Sequence, residues 1–146
     1  RNIDFYLDVI SPYAYLAFEK HLNALAGLDY QITYKPVLFA GLLKHHGQLG
    51  PAEIADKRDW TFRQIQWLAH VSGVDLQTPA AHPFNPLPLL RLAIASNSQG
   101  HPDHAVCAAI FHHVWHGGLD ATDPDRLSEL QKAIQPVGKP ADEDVK

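Results

Sequence analysis

Ile3, Phe5, Leu7 and Val9 alternate with Asp4, Tyr6 and Asp8. A period of two marks a half-buried strand, and here it puts carboxylates on one side. The pattern stops at Ile10-Ser11-Pro12. Ser11 suits a helix N-cap. Pro12 suits the first helical position, where its missing N–H has no intrahelical partner to lose. A helix rich in Ala and Leu is predicted over 13–25, and Gly27 ends it. Tyr30, Ile32 and Tyr34 alternate again, and Pro36 closes a second strand. Strand, about a dozen helical residues and strand make a βαβ unit, so the two strands are expected to be parallel.

After Pro36 only helices are predicted: 39–46, 53–71, 89–98, 103–116 and 124–134. Asp123-Pro124 opens the last with an N-cap and a Pro at N1. A Pro-rich stretch over 74–88 is expected to be an ordered, extended loop. Two parallel strands alone make a poor sheet, since strands need partners and a buried face. Either a second copy completes the sheet or the chain is the front portion of a longer protein. The second is the expectation.

Composition excludes several classes. With 146 residues, 46% hydrophobic and 19% charged, whole-chain disorder is excluded. No stretch approaches the ~20 apolar residues of a transmembrane helix. A formal net charge of −4 argues against a nucleic-acid partner held by phosphate neutralisation. One cysteine, Cys107, allows no disulfide framework and no CxxC pair. The alternating first apolar run does not read as a signal peptide, and a reducing cytoplasmic setting is expected. Ten histidines against no methionine suggest a trimmed N-terminus.

The chemistry is expected at Val9-Ile10-Ser11-Pro12-Tyr13. A strand feeds directly into a helix N-terminus, where unpaired N–H groups and the dipole favour an anion. Ligands gather at the carboxyl ends of parallel strands, and Ser11 sits at one. Ser11 as a cap alone is the competing reading. No GxSxG elbow surrounds it, so a serine hydrolase is disfavoured.

The stretch Ile3-Asp4-Phe5-Tyr6-Leu7-Asp8-Val9-Ile10-Ser11-Pro12-Tyr13-Ala14-Tyr15-Leu16 resembles the opening of the 2-hydroxychromene-2-carboxylate isomerases. These are glutathione-dependent relatives of the kappa-class glutathione transferases and of the DsbA-like thioredoxin fold. In that superfamily a strand runs into a CxxC helix start, and Ser11-Pro12-Tyr13-Ala14 stands in its place. Tyr34-x-Pro36, Gly50-Pro51, Lys57 with Trp60, Gly73-Val74 and the Pro-rich 79–86 support the likeness, which extends from residue 3 to about 118.

The resemblance implies a thioredoxin-like α/β fold whose core is split by an all-helical insertion. It implies a βαβ start over 1–37, the insertion over 38–135, and a polar segment over 136–146. That segment would lead to a C-terminal ββα part, apparently missing from this chain, with a cis-proline before a strand. Glutathione is the implied cofactor and an aromatic carboxylate the implied substrate. The implied reaction converts 2-hydroxychromene-2-carboxylate to trans-o-hydroxybenzylidenepyruvate in aromatic catabolism, by thiolate addition, ring opening, bond rotation and elimination. A homodimer is also implied. Ser11 takes the catalytic position, and Ser11, Pro12, Gln48 and Lys57 take glutathione-binding positions. Lys44 and His82 take substrate-side positions. His82 stands where isomerases often place a tyrosine, and Gln48 where kappa-type members have an asparagine. Solvated surface positions are the competing reading for Lys44 and Lys57. A kappa-type transferase and a noncatalytic thioredoxin-like binding module are the rival functions. A thiol-disulfide oxidoreductase is disfavoured by the missing CxxC.

Other residues receive plainer readings. His112, His113 and His116 have helical metal-ligand spacing, but no HExxH glutamate accompanies them. A solvent-facing or interface helix is expected there. Cys107 is expected to be a buried small hydrophobe. Trp60 and Trp67, seven apart on one helix, are expected to pack in the core. Tyr13 and Tyr15 either line the pocket or pack beneath it. The acidic residues at 142–144 read as a solvated helix start.

Overall fold

The computed structural model describes residues 1–138. Strand β1 (Asn2–Leu7) is followed by helix α1 (Pro12–Ala24) and strand β2 (Gln31–Pro36). Then come α2 (Phe39–His45), a 3-10 turn (Pro51–Glu53), α3 (Ala55–Ser72), α4 (Leu87–Ala95), α5 (His104–Trp115) and α6 (Pro124–Ile134). The strands pair in parallel, with Asn2 opposite Gln31 and Leu7 opposite Pro36. Right after β2, the Val37 N–H reaches the Leu7 carbonyl at 2.9 Å.

Pleating sends Phe5 and Leu7 to one face of the sheet and Asp4 and Tyr6 to the other. Phe5 meets α1 there, with ring centroids 6.5 Å from Phe18 and 5.4 Å from His21. His21 is buried yet satisfied: Nε2 lies 2.9 Å from the Tyr34 hydroxyl and Nδ1 faces the Phe18 carbonyl. On the opposite face Lys35 pairs with Asp4 at 2.6 Å. A cavity of about 710 Å³ lies on that side, lined by Tyr6, Lys35, Ala95, His101 and Val137 among others.

The structure corrects several boundaries and faces. The alternation runs to Val9, but β1 ends at Leu7. Asp8 turns the chain, its carbonyl taking the Ser11 N–H at 3.0 Å and its side chain the Ile10 N–H at 3.3 Å. Helix α4 begins at Leu87, because Pro88 fits inside a first turn that needs no N–H from it. It ends at Ala95: Ser96 Oγ bonds back to the Ala93 carbonyl, and Asn97 Oδ1 takes the amides of Gln99 and His101. Helix α5 is not a solvent-facing helix. Ile110, Phe111, Val114 and Trp115 are fully buried, and α5 packs against α1, α4 and α6.

Trp60 and Trp67 are not core residues either; each is about 60% exposed. Helix α3 turns Ile65 and Ala69 inward, with Phe62 and Leu68 beside them. At 100° per residue the two tryptophans lie roughly 140° and 160° around the helix from Ile65. Cys107 is buried, as expected, and burial pushes its thiol up to about 12. The reading of 142–144 as a helix start lies outside the described residues. No helix among those described is long and apolar enough to cross a membrane.

Candidate active site

Ser11 caps α1 with extended backbone (φ −87°, ψ 116°), and its Oγ accepts the Ala14 N–H at 3.3 Å. Pro12 is buried at N1. No acidic side chain occupies the first turn. A capping hydroxyl and a helix N-terminus whose first turn carries no carboxylate make a site suited to an anion.

Two carbonyls that would extend the helix backward are taken by side chains from far along the chain. The Trp115 indole donates to the Val9 carbonyl at 3.0 Å. His82 Nε2 donates to the Ile10 carbonyl at 2.9 Å. These are the oxygens that the amides of Tyr13 and Ala14 would otherwise seek. With those carbonyls engaged, the helix begins at Pro12 with Ser11 as its cap, as the local Ser-Pro chemistry also dictates.

The His82 ring packs near Phe62, Trp115 and Phe84, with centroids at 5.1, 5.9 and 6.2 Å. Burial lowers its pKa, so the neutral ring with a proton on Nε2 is favoured. Nδ1 is buried without a partner among the described residues. The structure thus brings His82 to the Ser11 turn through the backbone of Ile10.

Tyr13 and Tyr15 divide the two roles left open for them. Tyr15 is buried; its hydroxyl donates to the Asp75 carbonyl at 2.8 Å and accepts from His116 Nε2 at 2.7 Å. Tyr13 is exposed, and its hydroxyl meets Gln64 Oε1 on α3. That contact fastens the middle of α3 to the first turn of α1.

Lys44, Gln48 and Lys57 are all exposed. Lys44 lies in the last turn of α2, Gln48 in the loop after it and Lys57 at the start of α3. None has a side-chain hydrogen bond or ion pair among the described residues. Lys57 stands seven residues before Gln64, roughly 10 Å along the same side of α3. The fold therefore ties His82 to the turn before Ser11 and Pro12 through the Ile10 carbonyl, and leaves Lys44, Gln48 and Lys57 exposed with no contact to Ser11 among the described residues.

Asp8 and Trp115 went unnoticed in the sequence. Asp8 looked like a solvent-side residue of a strand, yet it is buried. Its only signal was its place three residues before the cap. Trp115 gave no local signal at all.

His112 and His116 stack with centroids 4.2 Å apart, and His112 Nε2 lies 2.9 Å from Glu19 Oε1. Among the described residues no group of three or more His, Cys, Asp or Glu could hold a metal ion.

The model of the DsbA-like thioredoxin domain matches residues 2–139. The chain belongs to this family. Within the DsbA-like family, 2-hydroxychromene-2-carboxylate isomerase of Sphingobium xenophagum is 28% identical over 144 residues, covering 97% of this chain and 71% of that protein. Rat glutathione S-transferase kappa 1 is 28% identical over 79 residues, covering 54% of this chain and 35% of the transferase. A solved 2-hydroxychromene-2-carboxylate isomerase structure superposes with a TM-score of 0.73 at 21% identity. It covers 92% of this chain and 66% of that one, and establishes the thioredoxin-like α/β fold.

Proposed function

We propose that this protein is a glutathione-dependent isomerase of 2-hydroxychromene-2-carboxylate or a close aromatic carboxylate. One observation carries the reading: a serine caps the active helix of a DsbA-like domain, in a chain similar over nearly its whole length to such an isomerase. Serine cannot form a mixed disulfide, which leaves addition and elimination open and thiol-disulfide exchange closed. The chain's own thiol, Cys107, is buried and held protonated, so the sulfur must come from elsewhere.

The residues present suit a bound thiolate. When bound, glutathione supplies a sulfur nucleophile that adds to the ring system and leaves after bond rotation. The Ser11 hydroxyl and the α1 amides favour its thiolate over its thiol, as helix N-termini do for cysteine. Pro12 fixes the first turn. Gln48 and Lys57 are assigned to glutathione and Lys44 to the substrate carboxylate, where an exposed ammonium can swing to an anion. His82 is assigned to the substrate side through its control of the Ile10–Ser11 turn. Residues 1–37 belong to the thioredoxin-like part and 38–135 to a helical insertion. A cytoplasmic homodimer is part of the same reading.

Isomerisation is followed by ultraviolet absorbance of the substrate, with and without glutathione, using the native protein. Glutathione-dependent conversion is expected. The partial match to rat glutathione S-transferase kappa 1 favours a second reading, a kappa-type transferase. It wins if turnover appears only with an electrophilic conjugation substrate. Turnover of neither class removes both enzymes and leaves a noncatalytic binding module.

A further inference from the structure

Asp8 is a buried carboxylate that this chemistry does not use. Only 4% of its surface is exposed, and its neighbours Leu7 and Val9 are apolar and equally buried. Oδ1 accepts the Ile10 N–H at 3.3 Å and Oδ2 the Phe39 N–H at 2.8 Å. Its carbonyl accepts the Ser11 N–H at 3.0 Å. Burial raises its pKa, and the two amide hydrogen bonds oppose that rise. Burying a carboxylate is costly, and an apolar side chain would fill the space without that cost.

Its partners give a reason for it. Trp115 and His82 hold the carbonyls of Val9 and Ile10. The Asp8 carboxylate holds the amide of Ile10 and the first amide of α2, while its backbone carbonyl holds that of Ser11. One residue therefore closes the turn that ends in Ser11 and ties it to the helix that carries Lys44. We infer that Asp8 is a positioning residue: it locks the Ser11 turn to α2, and so sets the Ser11 hydroxyl against the α1 amides that receive the ligand's sulfur. The inference rests on the glutathione reading of Ser11. Asp8 itself touches no ligand; it acts through Ser11.

The test titrates glutathione bound to the native protein by its ultraviolet thiolate band, alongside kcat and KM. Asp8→Asn keeps the shape but offers one acceptor oxygen to two amides. It is expected to raise the bound thiol's pKa and lower kcat on the order of tenfold, with KM for glutathione changing far less. Ser11→Ala should do the same. The double variant should lose nothing beyond Ser11→Ala, because both act at one point. Phe39→Pro supplies a route that leaves Asp8 intact. It deletes the first N–H of α2 together with the Phe39 ring, at a position where proline is tolerated and after a residue already extended (φ −90°, ψ 91°). It should shift the thiol pKa in the same direction, while Phe39→Ala, which keeps the N–H, should not. Additive losses in the double variant overturn the inference, as do matching results for Phe39→Pro and Phe39→Ala. If Asp8→Asn does not fold, the Phe39 pair decides alone. A wild-type protein with no thiolate band overturns the glutathione reading and this inference with it. A normal wild-type band with unresponsive variants overturns the Asp8 role only.

Discussion

The indole N–H of Trp115 donates to the carbonyl of Val9 at 3.0 Å, across 106 residues of sequence. Both residues are fully buried. The last residue of α5 therefore holds the turn before Ser11, and the helical layer is structurally part of the site. Trp115→Phe keeps an aromatic ring, though a smaller one, and deletes the donor. The Val9 carbonyl is then left buried without that partner, at a cost of about 1–3 kcal/mol. Denaturant unfolding should show that loss with an unchanged m-value. A variant as stable as the wild type would mean that the carbonyl finds another donor.

Ser11→Ala removes the cap acceptor for the Ala14 amide and should cost about 1 kcal/mol of stability. On the proposed function it also raises the bound thiol's pKa, so the pH–rate profile moves to the alkaline side. A profile that stays in place would reduce Ser11 to a cap.

Burial lowers the pKa of both His82 and His113 from 6.5. Below about 6.5 the unfolded chain takes up protons that these folded rings refuse. Stability should thus fall as pH drops through 6.5 and level off below the folded values. His82→Phe should flatten part of that slope in thermal melts from pH 8 to about 5. Asp8 acts with the opposite sign. Its folded pKa is raised above 3.8, so its ionisation weakens the fold as pH rises through the folded value.

Trp60 and Trp67 are each about 60% exposed and Trp115 is fully buried. Acrylamide should quench two of the three tryptophans readily and spare the third. Trp60→Ala and Trp67→Ala should each change stability by no more than about 0.5 kcal/mol, as exposed positions do. A loss of several times that from either would restore it to the core.

Cys107 is 2% exposed and its thiol is pushed up to about 12. An aromatic disulfide reagent should label it only in denaturant. Rapid labelling of the native protein would contradict its placement in α5.

Much of the architecture was legible because it depends on local chemistry. The period-two run of 3–9 and the Ser11-Pro12 cap specify a strand feeding a helix. Asp123-Pro124 specifies the start of α6, which begins there with Asp123 as cap. Cys107 followed from its apolar neighbours. The stretch from Ile3 to Leu16 resembles the opening of DsbA-like relatives, and the match of the family over residues 2–139 bears that out.

Other features were decided only by tertiary contacts. Alternation placed Asp8 on a polar strand face. The buried turn reversed that, because amides from Ile10 and from α2 were available to satisfy its oxygens. Seven-residue spacing put Trp60 and Trp67 on one face of α3, but spacing fixes only that they share a face. The packing of Ile65 and Ala69 chose which face turns inward. His82 and Trp115 reach the Ser11 turn from 72 and 106 residues away. Hydrogen bonds of such separation leave no periodic trace in a sequence. They exist because the turn after β1 withdraws the carbonyls of Val9 and Ile10 from water, and such carbonyls must find donors wherever the chain brings them.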